Sequence, residues 1–116
     1  MVSFNAAFNL GKLHEQLGDA AAQEAAFRKA IELNPYFAEG YFYLAKLYLD
    51  QGRQLDEAAQ LAKRGLEIGP KSAYAPLGHY VLADLYSRRG LHAESEREAA
   101  RGRALEAATR SGRGAS

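Results

Sequence analysis

The chain has 116 residues, no cysteine, 47% hydrophobic and 25% charged residues, and a net charge of +1. This composition is that of one ordinary soluble domain, and the lack of cysteine excludes disulfides, thiolate metal sites and cysteine nucleophiles. Residues 87–116 carry 7 Arg against 4 Glu, an excess too dilute to predict a nucleic-acid partner. Neither a leader nor an apolar run of ~18 residues is present, so we expect a soluble, cytoplasmic protein with no membrane partner.

One short pattern recurs three times along the chain. It consists of Leu, a small residue, a ring three positions later, and Gly four positions after the ring. The glycines Gly18, Gly52 and Gly90 are 34 and 38 residues apart, which is the period of helical-hairpin repeats. The three copies are Leu10-Gly11…His14…Gly18, Leu44-Ala45…Tyr48…Gly52 and Leu82-Ala83…Tyr86…Gly90.

The first unit reads as two helices separated by Gly18. Apolar residues from Phe4 to Leu17 step by three and four, which is helical spacing, and a second such run extends to Leu33. Asn34-Pro35 ends that run, because proline has no amide hydrogen to donate. Gly ends the first helix of the pair, where a left-handed backbone is free of a Cβ penalty.

The second and third units repeat this order, so the sequence predicts six helices in three antiparallel pairs. Gly69-Pro70 ends the fourth helix, and the sixth is expected over about 92–109. The predicted domain is 4–109, with repeats of about 4–37, 38–72 and 73–109. Residues 110–116, which are rich in Arg, Ser and Gly, are predicted to be a disordered tail.

The repeated residues make the chain resemble the tetratricopeptide repeat family, whose signature is W-x2-L-G-x2-Y, then A-x3-F, then P. The second unit is the cleanest match and the third the most degenerate. The resemblance implies an all-α, right-handed superhelical solenoid of three antiparallel helix pairs. The matching residues are Leu10, Gly11, His14, Gly18, Phe27, Ala30 and Pro35; Tyr41, Leu44, Ala45, Tyr48, Gly52, Ala58, Ala62, Gly65 and Pro70; and Leu82, Ala83, Tyr86, Gly90, Ser95, Ala99 and Gly102.

The resemblance also implies a function: a non-catalytic scaffold that binds a peptide or helix of a partner protein. In this family the first helix of each repeat lines a concave groove. Transferred slot by slot, the groove residues are Asn5, Phe8, Asn9, Lys12 and Gln16; Glu39, Phe42, Tyr43, Lys46 and Asp50; and Leu77, Tyr80, Val81, Asp84 and Arg88.

Three rings occupy one equivalent groove slot, at Phe8, Phe42 and Tyr80. Stacking of the first helices would align them as a stripe that buries apolar side chains of the partner. The alternative is that the slot holds rings because it is half-buried against the next unit. One subclass of the family grips a chaperone's C-terminal carboxylate with basic residues. Here its five slots contain a single basic side chain, so this partner is not expected: Phe8, Lys12, Tyr43, Leu77 and Val81.

Enzymatic and cofactor-dependent functions have no support in the sequence. The three histidines, His14, His79 and His92, lack the spacing of a metal site, and no phosphate-binding or nucleophile motif is present. We therefore predict no enzyme activity, no cofactor and no metal.

The charged last helix allows two interpretations. Its outer face can be the polar cap that a solenoid end requires, or it can dock on another subunit or on further repeats. The sequence thus leaves open a self-assembly module that forms homo-oligomers through its terminal helices, or a fragment of a longer repeat protein.

Overall fold

The computed structural model describes residues 2–114, and within that range the chain forms six α-helices and no β-strand. This confirms the predicted all-helical architecture. The helices are α1 (Phe4–Gln16), α2 (Ala20–Leu33), α3 (Ala38–Gln51), α4 (Leu55–Ile68), α5 (Ala75–Arg88) and α6 (His92–Gly114).

The helix ends follow the local signals of the sequence. Gly18, Gly52 and Gly90 have φ values of +72°, +66° and +76°, the left-handed region that favours glycine, and each lies in the turn of a hairpin. Asp19 caps α2, since its carboxylate accepts a hydrogen bond of 3.1 Å from the backbone N–H of Ala22. The turns therefore fix where each second helix starts.

The six helices pack as three antiparallel hairpins, α1 with α2, α3 with α4 and α5 with α6. Neighbouring hairpins meet through contacts of α2 with α3, α4 with α5 and α3 with α5. Small residues occupy the closest approaches, as Ala30, Ala45 and Ala62 are fully buried. The result is a solenoid in which the first helices α1, α3 and α5 lie side by side.

A polar network around Tyr48 joins the first two hairpins. The Tyr48 hydroxyl donates to Glu24 Oε1 at 2.6 Å and also accepts from Arg28. Arg53 donates to the other Glu24 oxygen at 2.6 Å, and Arg28 donates to Glu57 at 2.9 Å. Burial and then the bond to Glu24 raise the pKa of Tyr48 to about 12. The hydrogen bond from Tyr48 is the main cause that lowers the pKa of Glu24.

The C-terminal end differs from the expectation for residues 110–116. The sequence predicts a last helix that ends near residue 109 and a disordered tail, whereas α6 continues to Gly114 and is 23 residues long. Ala115 and Ser116 lie outside the described residues. The reason is that Ala107 stands where Pro35 and Pro70 stop the other second helices, and the Ala- and Arg-rich segment around it favours helix.

Candidate partner-binding surface

The fifteen groove residues predicted from the sequence divide into three groups by exposure. Three are buried and cannot reach a partner: Phe8, Phe42 and Val81. The half-buried ones are Lys12, Glu39, Tyr43, Lys46, Leu77 and Tyr80. The exposed ones are Asn5, Asn9, Gln16, Asp50, Asp84 and Arg88.

The buried ring of Phe42 corrects the expected aromatic stripe. Phe42 is 0% exposed and lies between two glycines, Gly65 of α4 and Gly78 of α5. A Cβ atom built on them would lie 2.5 Å and 2.6 Å from Phe42 Cε1. These glycines make room for the Phe42 ring between two hairpins. The ring is therefore part of the hydrophobic core and not of the surface.

Phe8 occupies the equivalent slot of α1 and is also buried. Its ring centroid lies 4.9 Å from that of Tyr43 and 5.0 Å from that of Phe37, both at nearly perpendicular angles. Such edge-to-face contacts stabilise the pair beyond the area that they bury. Phe8 and Phe42 are therefore both buried against the next hairpin, so the three rings do not form one continuous exposed stripe.

Tyr80 fills the same slot in α5 but remains half-buried, because none of the residues that the structure describes forms a further hairpin over it. A Cβ atom on Gly102 would lie 2.8 Å from Tyr80 Cε1, which shows that the ring packs closely against α6. The Tyr80 hydroxyl donates a hydrogen bond to Glu106. Hence Tyr80 is the one ring of the three that a partner can contact.

Besides Tyr80, two further rings are accessible, and they form a pair: Tyr43 and Tyr74. Their ring centroids are 5.4 Å apart in an edge-to-face arrangement. Burial, followed by the neighbouring Tyr74 hydroxyl, raises the pKa of Tyr43 to about 12. Tyr74 is not among the predicted groove residues, although the sequence contains a signal for it: both Phe37 and Tyr74 stand immediately before a first helix, at the N-cap.

A cavity of about 540 Å³ lies between the start of α5 and the C-terminal half of α6. Its walls are mainly apolar and aromatic, with one carboxylate and one guanidinium. Two of its residues, Leu77 and Tyr80, belong to the predicted groove. The lining consists of Ala73, Tyr74, Pro76, Leu77, Tyr80, Glu106, Thr109 and Arg110. The α6 side was not predicted, because the resemblance assigns the groove to the first helices alone.

The charged groups along the first helices are balanced and largely paired. Lys46 donates to Asp50 at 2.7 Å, and Arg88 donates to Asp84 at 2.7 Å. Lys12 lies over the Phe8 ring, with its Nζ 4.9 Å from the centroid. Because exposed pairs of this kind stabilise weakly and cancel in charge, the surface has no strong preference for an acidic or a basic partner.

The described part of the chain holds no grouping of three or more His, Asp or Glu side chains arranged to bind a metal ion. Among the same residues, none of the helices has the length and apolar content that a bilayer crossing requires.

Comparison with known proteins agrees with this architecture. Two family models described as tetratricopeptide repeat match residues 4–37 and 26–60. These matches show tetratricopeptide repeats over residues 4–60, and the third hairpin continues the same stacked architecture. No curated protein is significantly similar to it in sequence.

Two solved structures share the fold. A crystal structure of MamA superposes with a TM-score of 0.80 at 22% identity, covering 95% of this chain and 62% of that chain. A second crystal structure of MamA protein gives a TM-score of 0.75 at 23% identity, covering 90% of this chain and 55% of that one. The chain thus spans about three fifths of the length of these proteins, and the likeness shows the fold alone.

Proposed function

We propose that this protein is a non-catalytic scaffold that binds a segment of a partner protein on its concave, first-helix side. Tetratricopeptide repeats serve in general as protein-interaction modules, and the accessible groove residues lie on α1, α3 and α5. The observation that carries the proposal is the 540 Å³ cavity at the α5–α6 end of this surface. It joins apolar walls with a few polar groups, which is the usual make-up of an anchoring pocket.

In this proposal one apolar side chain of the partner enters the cavity and contacts Leu77 and the faces of Tyr74 and Tyr80. Buried aromatic contacts of this kind supply most of the binding energy at protein interfaces. Arg110 and Glu106 at the wall orient the partner's polar groups. The rest of the segment lies along α3 and α1, where exposed Asn5 and Asn9 offer amides to its backbone.

The test is selection of binders from a displayed peptide library with the full chain, followed by titration of a selected peptide. Leu77→Glu places a charge in the cavity and should weaken binding by at least ~10-fold. The matched control is Leu91→Glu, since Leu91 is also an accessible leucine but lies beyond the opposite end of α5. Tyr80→Phe keeps the ring and should bind nearly as well as the wild type, whereas Tyr80→Ala should not.

Two results would contradict the proposal. One is a selection that yields no binder to the full chain. The other is a peptide whose affinity falls equally in Leu77→Glu and Leu91→Glu, because that peptide would not use the cavity. Circular dichroism of each variant separates loss of binding from loss of the fold.

A further inference from the structure

Each hairpin has a stacking surface, formed by the ring of its groove slot and by the second helix next to that ring. It comprises Phe8 and Ile31 in the first hairpin, Phe42 and Leu66 in the second, and Tyr80 and Arg103 in the third. The helix α3 lies on the first stacking surface, and α5 lies on the second. Two of the three surfaces are therefore occupied by a helix of the chain itself.

The two incoming helices make the same kind of contact. Each places a glycine against an aliphatic side chain of the preceding second helix. A Cβ atom on Gly40 would lie 3.1 Å from Ile31 Cγ1. A Cβ atom on Gly78 would lie 3.3 Å from Leu66 Cδ2. Because small residues let helices pack closely, the occupant of a stacking surface is an α-helix with a small residue at the contact.

The α5–α6 cavity lies on the third stacking surface, since Tyr80 lines it. In the first two hairpins a turn at residues 34–37 or 69–74 brings the chain onto the stacking surface directly after the second helix. In the third hairpin α6 instead continues past the equivalent position, and none of the described residues forms a helix on this surface. The added turns of α6 contribute Thr109 and Arg110 to the cavity wall. The third surface therefore has a wall that the other two lack.

The third stacking surface also differs from the others in charge. At the position where the other second helices have an aliphatic residue, α6 has Arg103, and Arg110 stands two turns further on. The hydrogen bond to Glu106 raises the pKa of Tyr80. The charges of Arg103 and Arg110 oppose this shift, which places both guanidinium groups within electrostatic reach of the Tyr80 hydroxyl.

The partners of these charged groups leave one of them over. Arg103 pairs with Glu96 at 3.0 Å. Glu106 accepts the hydrogen bond from Tyr80. Arg110 makes no ion pair with any of the described residues, and an apolar occupant would remove water from its unpaired charge at a cost in free energy. A carboxylate on the occupant would instead accept charge-assisted hydrogen bonds from the guanidinium.

From the repeated packing and the charge we propose that the occupant of the α5–α6 cavity is an acidic, amphipathic α-helix of the partner protein. It places glycine or alanine over the Tyr80 ring, as Gly78 lies over Phe42, and a glutamate or aspartate beside Arg110. An apolar side chain of the same helix enters the cavity. This assignment rests on the proposed function, because it names the chemistry of the segment that binds there.

The spacing within α6 sets a pattern for the occupant. Arg110 follows Gly102, the glycine next to the Tyr80 ring, by eight residues of one continuous helix. Eight residues correspond to about 12 Å along a helix axis. The carboxylate is therefore expected about two helical turns from the small residue of the occupant.

The experiment selects binders to the full chain from two displayed peptide libraries of equal length. One library randomises a single face of an Ala-rich helix. The other randomises the same number of positions around a fixed central proline, which prevents a continuous helix. Binders that lose affinity in Leu77→Glu should come from the helical library alone, and they should carry Asp or Glu about two turns from Gly or Ala.

One selected helical peptide is then synthesised and titrated against variants of the chain. Arg110→Glu reverses the charge at the cavity wall and should weaken binding by ~10-fold or more. Exchange of the peptide's carboxylate for lysine should restore much of this loss. Arg97→Glu is the matched control, since Arg97 is also an exposed arginine of α6 but pairs with Glu94 near the other end of the helix. This variant should bind as the wild type does.

Three results would overturn the inference. Cavity binders from the proline library would show that an extended segment fits, which leaves the proposed function intact. Helical binders without a carboxylate, whose affinity is unchanged in Arg110→Glu, would remove the acidic character of the occupant. The lack of any binder from either library would overturn the proposed function and the helical occupant together.

Discussion

Phe42 in the central hairpin and Tyr80 in the last hairpin fill the same slot, yet one ring is core and the other lines a cavity. Both rings lie on a glycine of their own second helix, Gly65 and Gly102. Only Phe42 is covered from the other side, by Gly78 of the next hairpin. The difference shows that in a solenoid the role of a slot depends on what packs on its outer side.

The largest expected effect is the difference in protein stability between removing the Phe42 ring and removing the Tyr80 ring. Phe42→Ala removes a fully buried ring and should lower the free energy of unfolding by about 3–5 kcal/mol. Tyr80→Ala removes a half-buried ring at an open edge and should cost less than about half of that. Urea unfolding followed by circular dichroism measures both, and equal losses would contradict the assignment of Tyr80 to a surface.

The two glycines beneath the rings sharpen the comparison. Gly65→Ala places a methyl group 2.5 Å from Phe42 Cε1, and since that ring is confined, we expect a loss of about 1–3 kcal/mol. Gly102→Ala meets the Tyr80 ring at 2.8 Å, but that ring can move outward. The gain in helix propensity of up to ~1 kcal/mol then offsets the contact. Thermal unfolding of both variants should show the first destabilised and the second near the wild type.

A third prediction concerns alkaline pH at the junction of the first two hairpins. The pKa of Tyr48 is raised to about 12, above the ~10 of an unfolded tyrosine. A raised pKa means that this stability is present below pH ~10 and is lost as the pH rises through 12, by about 1–2 kcal/mol. The pKa of Tyr43 is also raised. Tyr48→Phe should therefore remove only part of the stability loss at high pH. Unfolding curves measured across this range test it, and an unchanged alkaline loss in Tyr48→Phe would contradict it.

The smallest expected effect is at the extension of α6. Ala107→Pro restores the proline that stops α2 and α4, and it removes the backbone donor to Arg103. The segment after residue 107 should unwind, with a fall in helical circular dichroism and a loss of binding at the cavity. Global stability should change by less than ~1 kcal/mol, because this segment is exposed. Ala107→Ser is the control and should keep both the helix and the cavity.

The sequence predicts the fold well because its signals are local. The glycine turns and the prolines after α2 and α4 set helix ends within a few residues of chain, and the Leu and Ala slots repeat in phase. These features need no knowledge of distant contacts. The end of α6 was missed because a missing proline is a weaker signal than a present one.

The candidate surface was predicted only in part, for a physical reason. A slot on a helix fixes the direction of a side chain, but exposure depends on what packs on it from elsewhere. Phe42 is covered by residues 23 and 36 positions later in the chain, Gly65 and Gly78. Tyr74 was missed since it precedes its helix and its partner Tyr43 lies 31 positions earlier in the chain.

The contacts between helices follow chain order, with each hairpin meeting only the next one along. Such a molecule has few long loops to close, so it should fold quickly. It should also open from its ends rather than all at once. Amide hydrogen exchange would then be slowest in α3 and α4, which are held on both sides, and faster in α1 and α6.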